Sequence, residues 1–407
     1  MSKTNFKPEL MAPASSWAML NAAIQNGADA IYFGIEKLNM RAAAKNFSIN
    51  ELSEIVNACH SKNVKAYLTI NSVIQNKELS LLDEILLEAK KTDVDMIICW
   101  DNAVIQGCRE LDIPICISTQ ASISNLKSAK FYESLGAKRI VLARECSFEE
   151  IVAIKNNVNL EVEVFIHGAM CVAVSGRCFM SHDVFGKSAN KGECLQPCRR
   201  NYIIKDVENE FEFELGEDYL LSAKDLCTIE FIDKLIEAKI DSFKIEGRKR
   251  SPEYVAKTVS VYREAIENYF TDSLTEEKKS SLKIELSKVY NKGFSSGFYF
   301  GVPDGNDFAN AEGSLAITTK VYAGKVLNYY KNQNVAFILL ETGEIKIGDK
   351  VLIIGSTTGV VEFEIEELFI EEEKKNVVNK GDKFTIKIPT QVRERDKLFL
   401  IKQNKKD

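Results

Sequence analysis

The sequence predicts an α/β fold, a (β/α)8 TIM-like barrel followed by a small C-terminal all-β barrel. Three observations carry that prediction. Eight short apolar runs alternate with amphipathic stretches over residues 1–251. Several joins place Gly or Asp just before the apolar run, as in "QNGADAIYF", "SLGAKRIVL" and "AKIDSFKIE", where helix C-caps and short connections belong. From about Ala316 the pattern changes to short strands between Gly, Asn and Asp turns, with no convincing helix.

Taken in order, "PELMAPA" is the first strand, and a helical pattern runs from Ser16 to Asn26. Then come "ADAIYFG", "KAYLTIN", "VDMIICWD", "IPICISTQ", "KRIVLARE", "EVEVFIHG" and, after a long interruption, "DSFKIEGR". Apolar strands separated by helices imply a parallel sheet covered on both faces, and eight such units favour a closed barrel over an open doubly wound sheet. No G-x-G-x-x-G or Walker glycine loop appears, which weakens a dinucleotide-binding alternative. The helical stretch from Pro252 to Lys292 and the run "GFSSGFYFG" form a connector over 252–311. The remainder, 312–407, holds "AITTKVYAGKVLNYY", "NVAFILLE", "GDKVLIIG", "GVVEFEIEELFI", "KFTIKIP" and "DKLFLI", the strands of the small barrel. "EEEKK" and the terminal "KQNKKD" read as solvated turns and a frayed end.

Composition bounds the function. A chain of 407 residues with 45% apolar content can bury a large core. A net charge of -6 argues against general avidity for nucleic acid while leaving room for a local basic patch. The opening "MSKTNFKPELMAPASSW" has no apolar signal region, and no later run approaches about eighteen apolar residues, so a cytoplasmic location is expected. In that reducing compartment the ten cysteines do not read as a disulfide framework. Scattered ones such as Cys59, Cys108 and Cys116 are expected as buried small hydrophobes.

Clustered cysteines need another account. The stretch "HGAMCVAVSGRCFMSHDVFGKSANKGECLQPCRRNY", residues 167–202, holds Cys171, Cys178, Cys194 and Cys198 just past the seventh strand. The C-terminal end of barrel strands is where chemistry is done. The spacing C-x6-C-x15-C-x3-C lacks the paired C-x2-C knuckles of a structural zinc ribbon and suits a 4Fe-4S cluster better. Zinc and unliganded thiols remain the alternatives. Cys227, in "SAKDLC", is a fifth candidate, either replacing Cys194 or Cys198 as a ligand or lying buried as an ordinary thiol.

Polar residues gather at the other strand ends. Asn71, Asp101, Gln120, Arg144, Glu145, His167, Glu246 and Arg248 all sit at or just after a strand's C-terminal end. Singly each reads as a loop cap or salt bridge; together they read as one rim. His167 would shuttle a proton beside the cluster or hydrogen-bond a thiolate. His182 reads as an exposed loop residue. A protease reading finds no G-x-S-x-G elbow and no H-E-x-x-H, leaving Cys171 with His167 as a conceivable nucleophile pair.

The run "EVFIHGAMCVAVSGRCFMS" matches E-x-F-x-x-G-A-x-C-x4-G-x-C-x-x-S, the signature of the collagenase-like peptidase family U-32. "PELMAPA", "GADAIYFG", "LNMRA", "ISTQ", "VLARE", "SAKDLC" and "KIEGRKRSPEYVA" resemble family segments in the same order. The tail resembles the family's C-terminal barrel, itself similar to a translation-factor second domain. The resemblance implies an oxygen-independent iron-sulfur hydroxylase, with prephenate as hydroxyl source. Its product would be 5-hydroxyuridine in tRNA or 5-hydroxycytidine in 23S rRNA, with or without a partner subunit. It makes Cys171, Cys178 and Cys194 the firmest ligands and leaves the fourth between Cys198 and Cys227. Prephenate's two carboxylates call for guanidinium forks, and Arg41, Arg144, Arg177 and Arg248 are the candidates. With Glu145, Glu246, Gln120 and Asn71 these complete the expected site. Arg199, Arg200, Arg248, Lys249 and Arg250 would form a basic edge for RNA phosphates, or else surface salt bridges. A peptidase and a non-enzymatic RNA-binding protein with a structural cluster are the competing functions.

Overall fold

The computed structural model describes residues 6–41, 45–171, 173, 178–200, 202–205, 212–215, 222–309 and 313–404. Strands β1 (Glu9–Ala14), β2 (Ala30–Phe33), β3 (Lys65–Thr69), β4 (Met96–Cys99), β5 (Ile115–Ile117), β6 (Arg139–Val141) and β7 (Glu161–Ala169) pair in sequence and in parallel. A hairpin of β8 (Tyr202–Lys205) and β9 (Glu212–Leu215) and a short β10 (Asp225–Cys227) intervene before β11 (Ser242–Ile245). This last strand pairs in parallel with both β1 and β7, which closes an eight-stranded barrel. The closed (β/α)8 expectation is therefore met, on the eight runs that the sequence marked out.

Helices α1 (Trp17–Gln25), α2 (Leu52–His60), α3 (Leu79–Lys91), α4 (Asn102–Glu110), α5 (Leu126–Ser134) and α6 (Phe148–Lys155) alternate with the strands. A short α7 (Met180–Phe185) lies in the cysteine loop, α8 (Ile232–Glu237) precedes β11, and α9 (Pro252–Phe270) and α10 (Glu276–Ser287) follow it. Local chemistry explains several starts. Ser16, Asp101, Asn125 and Ser147 each accept a backbone N–H from the first turn of the helix they open, satisfying donors that have no partner within the helix. Two of the expected turn glycines, Gly27 and Gly136, take positive φ, and Lys239 takes the left-handed position at the third join. α9 packs as the eighth barrel helix, its Tyr254, Val255, Val259 and Tyr262 sharing the barrel core.

A short β12 (Phe294–Ser295) pairs with β10. Beyond it, β13 (Thr318–Tyr330), β14 (Val335–Leu340), β15 (Glu344–Lys346), β16 (Lys350–Gly355), β17 (Gly359–Glu364), β18 (Leu368–Ile370), β19 (Glu373–Lys375), β20 (Val377–Asn379), β21 (Lys383–Lys387) and β22 (Lys397–Gln403) form antiparallel sheets, one of eight strands and one of two. They enclose a separate apolar core that includes Val326, Ile338, Val351, Phe384 and Leu398. The turn before β17 meets α1, where Asn21 donates to the Ser356 carbonyl at 2.8 Å and Gln25 to that of Thr358 at 3.1 Å. Among the described residues no helix is long and apolar enough to cross a membrane.

The N-terminal end of the barrel is closed by an ion network. Arg139, only 2% exposed, contacts Glu9 at 2.6 Å, Glu161 at 2.6 Å and Glu163 at 3.2 Å. Lys244 binds the other oxygen of the fully buried Glu163 at 2.8 Å, and Tyr67 donates to Glu9 at 2.8 Å. Burial alone would raise the Glu9 pKa, but Arg139 and Lys65 outweigh it and hold it at about 2.

Candidate active site

A cavity of about 130 Å³ opens at the C-terminal mouth of the barrel. Its floor is made by the inward residues Tyr32, Thr69, Ile98, Phe165 and Lys244, and its walls by Arg41, Asn71, Ser118, Gln120, Arg144, Glu145, Glu246 and Arg248. The loop after β7 lies over it and contributes Cys171, Cys178, Cys194 and Cys198. Four widely spaced thiols thus meet around one space with most of the polar rim. Arg177 and the side chain of Arg199 lie outside the described residues.

The arginines differ in how they are held. Burial lowers the Arg41 pKa, but Glu246, 3.2 Å away, outweighs it and the net shift is upward. Burial likewise works to raise Glu246, and Arg41, Arg250 and Arg144 together hold it below the ordinary carboxylate value. Among the described residues no carboxylate lies within ion-pair distance of Arg144 or Arg248. Arg144 stacks over the Phe165 ring at 4.0 Å, and Arg248 donates to Asn39 at 3.1 Å. Burial pushes both down, Arg248 to about 10. Gly34 makes room for Arg248, because a Cβ there would stand 2.5 Å from its guanidinium. A buried guanidinium, Arg248, and a half-buried one, Arg144, thus line one cavity with no carboxylate at ion-pair distance among the described residues, an arrangement that favours an anion there.

The segments after β3 and β5 contribute neutral groups to the cavity. Asn71 accepts from the Met40 backbone at 3.0 Å and donates towards Gln120 at 3.3 Å and Ser118 at 3.4 Å, while Ser118 also bonds Gln120. Asp101 caps α4 and accepts from the Ile74 N–H at 3.0 Å, the bland reading of that residue.

Four expected site residues, His167, Cys227, Arg250 and Arg200, stand apart from this cavity. Glu163 and Phe165 point into the barrel, and strict alternation would put His167 inside as well. The pairing of β7 with β11 shifts register between Lys244 and Ile245, so that His167 faces Ile245. A one-residue bulge reverses side-chain parity, and His167 packs instead against Tyr254, Tyr262 and Phe294. Burial and then the charge of Arg250 push its pKa down to about 3, so it is neutral. Cys227 is 3% exposed on β10, takes a weak bond from Tyr262 at 3.8 Å, and is raised to about 11 by burial. Arg250 is 3.7 Å from the buried Asp225 and stacks on Tyr290 at 3.8 Å. At the surface, Arg200 lies over Phe185 at 4.4 Å, and Lys249 donates to the Cys194 carbonyl at 3.1 Å. His182 is exposed, as expected.

Sequence reading missed Tyr32, Thr69, Ser118, Phe165 and Lys244. The available signal was polarity inside apolar strands: Lys244 interrupts "DSFKIEGR" and Thr69 ends "KAYLT", and a barrel strand tolerates such residues where they face a lined interior.

Fold and site together define a (β/α)8-barrel protein with a thiol- and guanidinium-lined cavity at its C-terminal mouth. The chain belongs to Peptidase family U32, whose sequence profile matches residues 15–308. It is 39% identical to a protein of Porphyromonas gingivalis named collagenase, over 96% of this chain and 97% of that one. It is 36% identical to tRNA hydroxylation protein P1 of Bacillus subtilis, over 90% and 88% of the two chains. To the 23S rRNA 5-hydroxycytidine C2501 synthase of Escherichia coli it is 37% identical, over 68% of this chain and 41% of the synthase.

Proposed function

We propose that this protein is an oxygen-independent iron-sulfur RNA hydroxylase that takes prephenate as hydroxyl source. The observation that carries the reading is the meeting of Cys171, Cys178, Cys194 and Cys198 with Arg144 and Arg248 around one cavity. Among the described residues no three of His, Cys, Asp and Glu gather closely enough for a single metal ion. The donor set nevertheless suits a cluster. The Met180 N–H donates to Cys178 sulfur at 3.4 Å, and the Gln196 N–H to Cys194 sulfur at 3.4 Å, placing backbone dipoles where thiolate charge would sit. We assign Cys198 as the fourth ligand because it lines the cavity and Cys227 does not. When bound, a 4Fe-4S cluster supplies the redox and Lewis-acid chemistry that side chains lack.

The chain's own residues then bind and orient. Arg144 and Arg248 take the two carboxylates of the co-substrate, Glu246 keeps Arg41 in place, and the Asn71–Ser118–Gln120 group supplies neutral contacts. Coverage favours tRNA over ribosomal RNA, since the tRNA hydroxylation relative matches along most of both chains. The test is mass spectrometry of tRNA and rRNA nucleosides with and without the gene. Loss of 5-hydroxyuridine derivatives is the expected result, and unchanged nucleosides would refute the reading.

The similarity to a collagenase supports a second reading, a cysteine peptidase. Against it, the chain's three histidines all lie outside the cavity: His60 pairs with Asp95 on the surface, His167 is buried behind the wall and His182 is exposed. Cys171 therefore has no imidazole to activate it.

A prediction concerns the anion site. Each charge-assisted contact contributes about 1.5 to 3 kcal/mol, so Arg144→Ala or Arg248→Ala should weaken prephenate use about ten-fold or more. Arg200→Ala should weaken RNA binding and flatten its salt dependence, leaving prephenate affinity nearly unchanged. Titrating prephenate and RNA separately against each variant, with iron content measured, checks this. Loss of RNA binding alone in the Arg144 and Arg248 variants would place the dicarboxylate elsewhere.

A further inference from the structure

Thr69 is the last residue of β3, 2% exposed, and it lines the floor of the cavity. Its hydroxyl finds no hydrogen-bond partner among the described residues. A buried hydroxyl left unsatisfied is costly, and native proteins seldom keep one without a reason. Its neighbours do not share the problem, because Asn71, Ser118 and Gln120 bond one another and the Met40 backbone. Other unpartnered hydroxyls, those of Ser222, Thr228 and Thr258, are outside this cavity.

The placement says what kind of group Thr69 awaits. Tyr67, two residues earlier, reaches the ion network inside the barrel, so period-2 alternation turns Thr69 into the interior as well. The arginines stand on segments following β2, β6 and β11, and Thr69 on β3, which pairs with β2. Thr69 and Asn71 bring no formal charge. The floor lies beneath the cysteine loop, a depth suited to a small molecule, while a polymer would reach only the mouth.

We propose that Thr69 is a co-substrate-binding residue, its hydroxyl bonding a neutral hydroxyl or keto oxygen of the small dicarboxylate whose anionic ends Arg144 and Arg248 hold. This rests on the function proposed above and adds a selectivity element to it. Arginines alone would accept any dicarboxylate of suitable span. A desolvated hydroxyl that must be paired discriminates against one lacking the oxygen.

The experiment uses full-length protein prepared without oxygen and without RNA, titrated calorimetrically with prephenate and followed by thermal melting. Thr69→Val, which keeps shape and removes the hydroxyl, should weaken prephenate binding about ten-fold. Its melting temperature without ligand should equal or exceed that of wild type, since an unsatisfied group has gone. Thr69→Ser, which restores the hydroxyl, should bind within a few-fold of wild type. If Thr69→Val binds prephenate as wild type does, or if it melts several degrees lower before ligand is added, the inference is overturned and the co-substrate assignment stands. If wild type itself binds no prephenate, the assignment fails first and this inference with it.

Discussion

Cys178→Ala protein purified without oxygen should be colourless and nearly free of iron and sulfide, where wild type should be brown. The expected change is large because each iron of a cluster held by four thiolates depends on one of them. Cys178 also has its place prepared, with the Met180 N–H directed at its sulfur. RNA hydroxylation should fall to background, since the remaining residues bind and orient but bring no redox chemistry. The control is Cys227→Ala. That thiol lies in the core beside Tyr262, away from the cavity, so its replacement should leave iron content and colour unchanged. Iron, sulfide and zinc analysis with the visible spectrum measures all of this. Wild type holding one zinc and no sulfide would end the iron-sulfur assignment. Iron lost from Cys227→Ala but kept by Cys198→Ala would exchange the fourth ligand.

The second large effect is on stability. Arg139→Met should destabilise the barrel by about 3 to 5 kcal/mol, the usual cost of removing one partner from a buried ion pair. The guanidinium serves three carboxylates at once, and Glu163 among them is fully buried. Lys244 still neutralises one oxygen of Glu163, but Glu9 keeps only the exposed Lys65 and the hydroxyls of Tyr67 and Ser242. The pH dependence follows from the sign of the Glu9 shift. Its folded pKa of about 2 lies below the ordinary 4.5, so its contribution is present above about pH 4.5 and is lost as pH falls towards 2. The gap between wild type and variant should therefore be full at neutral pH and should narrow over that acid window. Urea unfolding at several pH values measures it. A loss under about 1 kcal/mol at neutral pH would mean the network is solvated or that the carboxylates find other partners.

The strands, their order and the end of the barrel that carries the site were legible in the sequence. Apolar runs bounded by Gly and Asp are local signals, and a chain that alternates strand and helix eight times has few ways to bury both faces of its sheet. The cysteine loop could be placed for the same reason, since it follows directly on the seventh strand. Which way each side chain faces was decided only by tertiary structure. Inward or outward is a parity along the strand, and the irregular register between β7 and β11 reverses it at His167, turning a residue at the right height to the wrong side of the wall. Partners remote in sequence settled the others: Arg250 is taken by Tyr290 and Asp225, and Cys227 is enclosed by Tyr262 from α9. Thr69 shows the converse, an ordinary residue at a strand end that tertiary structure places on a cavity lined from six other barrel strands and the segments after them.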